Sequence, residues 1–389
     1  LLRTRGGHDG SRVSMVELFF DLVFVFAVTQ LSHTLLARLD AIGAAQIALL
    51  LIAVWWVWVY TTWVTNWLDP ERTAVRACLL VLMLAGLVLS SSIPRAFAQH
   101  GLAFAGAYAS IQVGRTLFFL WAVRGGPVHL RANFHRILSW FALSALFWLA
   151  GGFASDAARF TLWAAALLLE FMAPWCYFYV PGLGRSRTTD WDVDPHHLAE
   201  RCALFVIIAL GESLLVTGAT FSELAWNGTT VIAFAADFLG SVAMWWIYFD
   251  TGARRATDHF AHSSDPGRVG RGAYTYLHLP IVAGIIVCAV ADELVLVHPE
   301  HASDAGIGAI LGGPALYLLG NALFKWVTNV RRAPPLSHLA GVLLLLVLAP
   351  FAFSHVFSAL ALGVATTAVM VLVAAWETAA INRRARPRP

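Results

Sequence analysis

Apolar residues run along this chain in long blocks, separated by short polar segments. The blocks fall near 15–36, 43–66, 74–93, 102–123, 137–154 and 159–180, then near 201–220, 229–249, 273–293, 306–328, 337–353 and 356–380. At a rise of 1.5 Å per residue, a helix needs about 20 apolar residues to cross a hydrocarbon core of roughly 30 Å. The pattern predicts an all-α, polytopic integral membrane protein with about twelve transmembrane helices. The eleventh block is short, contains Pro350, and is separated from the twelfth only by Ser354-His355.

Composition agrees with that pattern. Of 389 residues, 59% are hydrophobic and 13% charged, whereas soluble domains carry about 25% charged residues. Placing the N-terminus inside puts 22 of the 26 Lys and Arg residues in cytoplasmic segments and three (Arg38, Arg95, Arg159) outside, with Arg115 inside a helix. That asymmetry is the one expected of a membrane protein with both termini cytoplasmic. The net charge of +3 then reflects anchoring at anionic headgroups rather than nucleic-acid binding. The first block lacks a cleavage site and contains acids, so it reads as a span and not a removable signal. Cys78, Cys176, Cys202 and Cys288 fall in predicted spans without a CxxC, which argues against disulfides and thiolate metal sites.

The two halves resemble each other. Trp55-Trp56-Val57-Trp58 in the second helix matches Trp245-Trp246-Ile247-Tyr248 in the eighth, and Gly114-Arg115-Thr116-Leu117-Phe118 matches Gly320-Asn321-Ala322-Leu323-Phe324. Six helices separate each pair, so both halves insert with the same polarity, as in parallel-repeat transporters and some channels. The expected repeats are 1–190, with a basic segment 1–14, and 191–389, with a basic tail 382–389; the loop 181–200 joins them.

Ionisable groups inside spans cost roughly 3 kcal/mol or more each, and several occur here. Glu17 and Asp21 share a stripe of the first helix with Phe24, Val28 and Ser32. Arg201, Phe205, Ile208 and Glu212 form a stripe of the seventh. Gly211 beside Glu212 is expected to admit a neighbouring backbone. Arg115, Glu170 and Asp237 lie near mid-span of the fourth, sixth and eighth helices, Asp292 and Glu293 end the ninth, and His278 begins it. Three mid-depth carboxylates (Glu170, Glu212, Asp237) against one arginine predict that Arg115 pairs with one, while the others are protonated, hydrated or bound to a cation. His259-x-x-His262 and His298-Pro-Glu-His301 lack a third ligand, so no metal is expected. No Walker loop, GxGxxG context, GxSxG or HExxH occurs, and no cofactor is expected.

The opening Val16-Glu17-Leu18-Phe19-Phe20-Asp21-Leu22-Val23-Phe24-Val25-Phe26-Ala27-Val28-Thr29-Gln30-Leu31 resembles the signature of the bacterial low temperature requirement A family. So do Ile93-Pro94-Arg95-Ala96-Phe97, the stretch from Tyr108 to Arg115, Pro181-Gly182-Leu183-Gly184, His197-Leu198-Ala199-Glu200-Arg201, Ile207 to Ser213, and His278-Leu279-Pro280. The resemblance covers about residues 12–382 and implies a polytopic bacterial membrane protein. The family's name describes a cold-growth phenotype, so it supplies no activity. The first helix is also similar to that of the two-repeat potassium channels of lysosomes and bacteria, in which the first helix of each repeat lines the pore. Phe20 and Leu22 stand where those channels have serine and glycine, so the similarity does not carry potassium selectivity.

Three functions remain open at the level of sequence. The first is a channel or secondary transporter with a carboxylate-lined polar cavity, drawing on Glu17, Asp21, Arg115, Glu170, Arg201, Glu212, Asp237 and His278. The second is an intramembrane enzyme acting on a lipid or other hydrophobic substrate, with Glu212 or Asp21 as general acid or base; the sequence shows no nucleophile or metal beside the acid. The third is a structural membrane protein whose buried charges fix helix register. The expected partners are the lipid bilayer and a cation or proton, with a homodimer as a further candidate assembly.

Overall fold

The computed structural model describes residues 1–3, 12–188, 191–328 and 333–385. Of the basic residues counted above, Arg5, Arg331, Arg332, Arg386, Arg388 and the side chains of Arg254 and Arg384 lie outside the described set. Among the described residues the protein is all-α. The long helices are α1 (Met15–Ala37), α2 (Ala41–Trp67), α3 (Thr73–Ser92), α4 (Gly101–Ala122), α5 (Val128–Phe153), α6 (Asp156–Trp175), α7 (Pro195–Glu223) and α8 (Gly228–Tyr248). After the short helices α9 (Arg254–Ala261) and α10 (Pro266–Val269) come α11 (His278–Val297), α12 (Asp304–Thr328), α13 (Leu336–Phe353) and α14 (Ala359–Ala385).

These twelve long helices coincide with the twelve apolar blocks. Eleven are long and apolar enough to cross a membrane by length and composition. The twelfth, α4, is 22 residues long, but Gln112, Arg115 and Thr116 reduce its apolar character, and all three are buried. Two helices end differently from their sequence pattern. A π-helical segment, Phe249–Ala253, extends α8, and a second, Gly270–Tyr276, precedes α11. Helix α11 continues to Val297, so Asp292 and Glu293 lie more than a turn inside it rather than at its end.

Local chemistry accounts for several boundaries. At the start of α1, the backbone N–H of Ser14 donates to Glu17 Oε2 (2.9 Å) and that of Glu17 to Ser14 Oγ (3.4 Å), a capping box. Asn227 and Thr230 form another at the start of α8. After α6 the chain turns at Pro181–Gly184, where Gly182 and Gly184 have φ of +80° and +72°, a region glycine occupies without a Cβ clash. Leu183 O accepts from Arg136 Nε and Nη2.

The chain divides into two compact units. Unit 1 comprises Leu1–Thr34, Ala41–Arg201 and Ser263–Arg271; unit 2 comprises Leu35–Asp40, Cys202–His262 and Gly272–Pro389. In unit 1, α3, α4, α5 and α6 pack in sequence order, and α2 packs on α4 and α6. In unit 2, α11, α12, α13 and α14 pack in sequence order, and α8 packs on α12 and α14.

The tightest approach within unit 2 joins α11 to α12. A Cβ at Gly284 would stand 2.5 Å from Tyr317 N, one at Gly313 2.8 Å from Cys288 N, and one at Gly320 2.9 Å from Ile281 N. Small residues let membrane helices meet backbone to backbone. Gly211, expected to play that part, does not: a Cβ there would meet nothing within 4 Å. Gly313→Val should therefore destabilise the protein by about 1–3 kcal/mol through overpacking, read as a lowered melting temperature in detergent. Gly211→Ala should leave the melting temperature unchanged.

Candidate functional site

The buried ionisable residues fall into distinct clusters. The first, in unit 1, brings together α1, α2 and the first turn of α7. The side chains of the α1 stripe, Glu17, Asp21, Phe24, Val28 and Ser32, are all buried. Arg201 grips Asp21 with both arms of its guanidinium, Nη1 to Oδ2 at 2.7 Å and Nη2 to Oδ1 at 2.8 Å. This planar, bidentate match is the strong form of an ion pair. Trp58 Nε1 donates a third bond to Asp21 Oδ1 (2.9 Å), and its ring lies under the guanidinium at 5.5 Å. Arg201 Nη1 also reaches Glu17 O at 3.1 Å.

Glu17 is compensated as fully. Its Oε2 receives Ser14 Oγ at 2.9 Å and Arg3 Nη2 at 3.0 Å, and its Oε1 faces His197 Nε2 at 2.9 Å. Asn66 Oδ1 accepts from Asp194 N–H, so Asn66 Nδ2 is the donor that meets His197 Nδ1 (3.2 Å). His197 Nε2 lies between Glu17 Oε1 at 2.9 Å and Arg3 Nη2 at 3.1 Å. Glu17 and Arg201 are both fully buried within the protein.

The second cluster, also in unit 1, surrounds Glu170. Its Oε2 accepts from Tyr108 Oη (2.5 Å) and Gln112 Nε2 (3.3 Å), and its Oε1 accepts from Trp148 Nε1 (3.1 Å) and Ser144 Oγ. Within unit 1, Arg115 does not pair directly with Glu170, the acid of that unit among its expected partners. Gln112, one turn earlier on α4, stands between: its Oε1 accepts from Arg115 Nη2 while its Nε2 donates to Glu170. Arg115 Nη1 donates to Val57 O and Thr61 Oγ1, both at 3.1 Å, and the guanidinium lies over the rings of Tyr60 and Phe141. The short Gln112 amide lets one arginine neutralise a distant carboxylate and still satisfy a carbonyl of α2.

In unit 2, Lys325 on α12 donates to Ile247 O (2.8 Å) and to Glu377 Oε2 (2.7 Å), near His338. His278 Nδ1 meets Ala273 O at 3.0 Å, inside the π-helical segment, and its Nε2 meets Tyr248 Oη at 2.8 Å. Lys325 is 9% exposed.

The carboxylates near the middle of unit 2 are arranged differently. Asp237 on α8 is 4% exposed, and its Oδ2 has no hydrogen-bond partner. Its charged neighbour is another acid, Asp292 on α11. Ser213 on α7 is fully buried with its hydroxyl turned toward Asp292. Glu212, next to Ser213, is buried as well. Asp292 also lines a pocket of about 30 Å³ with Gly240, Met244, Cys288, Thr366 and Thr367. Among the described residues, no ion pair includes Asp237 or Asp292, and no three His, Cys, Asp or Glu residues are placed to hold a metal.

The structure thus brings Glu17, Asp21 and Arg201 together, and Arg115 with Glu170, while Asp237 sits near Asp292. Asn66, Gln112, Ser144 and Trp148 were not singled out by sequence, and Trp58, Tyr108 and His197 entered only through the repeat and family motifs. Tyr108, Gln112 and Arg115 follow i, i+4, i+7 spacing on α4, which was the readable signal.

The sequence matches the family model described as "Bacterial low temperature requirement A protein (LtrA)" over residues 12–375. An uncharacterized protein of Rhizobium meliloti (strain 1021) is 42% identical over 384 residues, which cover 97% of this chain and 92% of that protein. No solved structure matches the chain.

Proposed function

Because the chain belongs to the bacterial low temperature requirement A family, whose name supplies no chemistry, we propose from its buried charges that it is a membrane transport protein of the secondary-transporter kind. One observation carries this reading. The buried acids of unit 1 are neutralised by bases and donors, whereas Asp237 is buried beside a second acid with an oxygen unpartnered. Buried polar groups kept for structure are satisfied in the large majority of cases, although Arg115 Nε and Arg201 Nε are buried without a partner here too. An uncompensated carboxylate in a bilayer is the usual mark of an ion or proton pathway. The pocket beside Asp292, about 30 Å³, has room for one or two waters, which favours stepwise binding and release over an open conduit through unit 2.

In this reading the protein lies in the bacterial cytoplasmic membrane with both termini cytoplasmic, and its halves are parallel six-helix repeats. The neighbour pattern supports the repeat. Arg115 on α4 donates to Val57 O, and Lys325, one turn beyond the Asn321 that aligns with Arg115, donates to Ile247 O, the residue matched to Val57 by the Trp-Trp alignment.

The test is purified protein in liposomes loaded with proton-, sodium- or potassium-sensitive dyes, under the corresponding imposed gradients. Wild-type protein should dissipate at least one gradient, and Asp237→Asn should fall to the level of empty liposomes. No flux of any of the three, or flux unaltered in Asp237→Asn, would refute the proposal.

A further inference from the structure

We propose that the loop following α6, together with Arg271, binds the headgroup of an anionic phospholipid whose acyl chains lie along α6. The inference stands apart from the transport reading and uses residues of unit 1 alone.

The site is built on the turn at the end of α6. Tyr177 and Phe178 have φ of +52° and +48°, a left-handed conformation that residues with a Cβ rarely adopt. Phe178 holds the turn in place: it is buried and stacks on Trp191, with ring centroids 5.8 Å apart. Tyr177 and Tyr179, on either side of it, are exposed. Backbone bonds then close the loop on itself, Ser186 N–H donating to Tyr177 O (2.8 Å) and Val180 N–H to Gly184 O (3.1 Å). This brings Arg185 and Arg187, which flank Ser186, back to the tyrosine turn. Helix α5 fixes the same loop, since Arg136 Nε donates to Leu183 O (2.8 Å) and Trp140 Nε1 to Tyr179 O (3.2 Å).

Two guanidinium groups are laid on aromatic faces there. That of Arg271 lies 5.5 Å from the ring of Trp175 and 5.4 Å from that of Tyr177, with Nη1 donating to Pro174 O at 2.7 Å. That of Arg185 lies 5.3 Å from the ring of Tyr179. Stacking orients the planar fork, which matches the paired oxygens of a phosphate. Among the described residues, neither of these arginines nor Arg187 enters an ion pair. The acids between Arg124 and Thr188 are Asp156, at the opposite end of α6, and the buried Glu170. Asp265, on the adjoining segment, accepts from Thr188 Oγ1 (2.8 Å) and from the backbone N–H of Arg268 (3.0 Å).

The apolar surface below the arginines selects a lipid over a soluble anion. Leu168, Met172 and Trp175 follow i, i+4, i+7 spacing on α6 and are all exposed, so they form one stripe. The stripe ends at the contact between Trp175 and Arg271, where the apolar span of α6 also ends. Tryptophan and tyrosine favour the headgroup level of a bilayer, and basic pockets at that level take anionic headgroups. Acyl chains on the stripe and a phosphate at the arginines satisfy both surfaces with one molecule.

The experiment is native mass spectrometry of the delipidated full chain in neutral detergent, titrated with phosphatidylglycerol or phosphatidylcholine. The wild-type protein should bind phosphatidylglycerol the more tightly. Arg185→Gln and Arg271→Gln should each weaken that binding by about tenfold or more, which is what one lost charge-assisted hydrogen bond is worth. Arg185→Lys, which keeps the charge, should lose less than Arg185→Gln. Arg271→Gln also gives up a bond to Pro174 O and can unfold on that account; Arg185 is exposed, so Arg185→Gln should melt with the wild type and carries the test alone. Equal affinity of the wild type for the two lipids, or unchanged phosphatidylglycerol binding in Arg185→Gln, would overturn the proposal. So would displacement of the lipid by an equal concentration of inorganic phosphate, which would mark a site for a soluble anion.

Discussion

Arg201→Met will destabilise the protein by about 3–5 kcal/mol, the cost of leaving a buried carboxylate without its partner. Asp21 is 1% exposed and receives two of its three side-chain hydrogen bonds from Arg201; Trp58 alone cannot neutralise it. Asp21→Leu should cost a similar amount, since it strands the guanidinium. The double variant Asp21→Leu/Arg201→Met should recover most of the loss, because two apolar side chains need no compensation. Thermal unfolding of the four proteins in detergent, followed by tryptophan fluorescence, measures the coupling. If the single losses simply add in the double variant, the pair is not the unit described above.

Glu170→Gln should have the next largest effect, about 3 kcal/mol. The estimate takes two of the four bonds to the carboxylate as lost at about 1.5 kcal/mol each, because an amide NH₂ must turn toward groups that are themselves donors. Tyr108→Phe and Ser144→Ala each remove one donor and leave the carboxylate with three, so each should cost about 1 kcal/mol. A melting temperature for Glu170→Gln no lower than that of Tyr108→Phe would show that the charge on Glu170 is not what holds α4, α5 and α6 together.

The helices were legible in sequence because crossing a bilayer imposes a length and an apolar composition on each segment separately. Even the polar helix α4 was found, since Gln112 and Arg115 interrupt an otherwise apolar stretch. The charged residues were equally visible, but their partners were not. Pairing depends on which helix faces which, and nothing local tells Arg201 that Asp21 lies across from it, 180 positions earlier in the chain. Nor did the sequence show that the ammonium group of Lys325 reaches Ile247 O and Glu377. Arg115 was expected to seek a carboxylate directly. Gln112 intercepts it because i, i+3 neighbours on one helix meet before helices from elsewhere do. Gly211 was misjudged for a related reason: glycine marks a close approach only where another backbone arrives, and here that happens at Gly284, Gly313 and Gly320.

Asp237→Asn separates a functional carboxylate from a structural one most directly, when stability and flux are measured on the same preparation. Asp237 has an acid for its charged neighbour and an unpartnered oxygen, so a neutral amide of the same shape removes a liability rather than a support. The variant should melt at or above the wild-type temperature while losing flux in liposomes. A melting temperature lowered as far as that of Glu170→Gln, with flux per folded protein unchanged, would place Asp237 among the structural charges and contradict the transport reading.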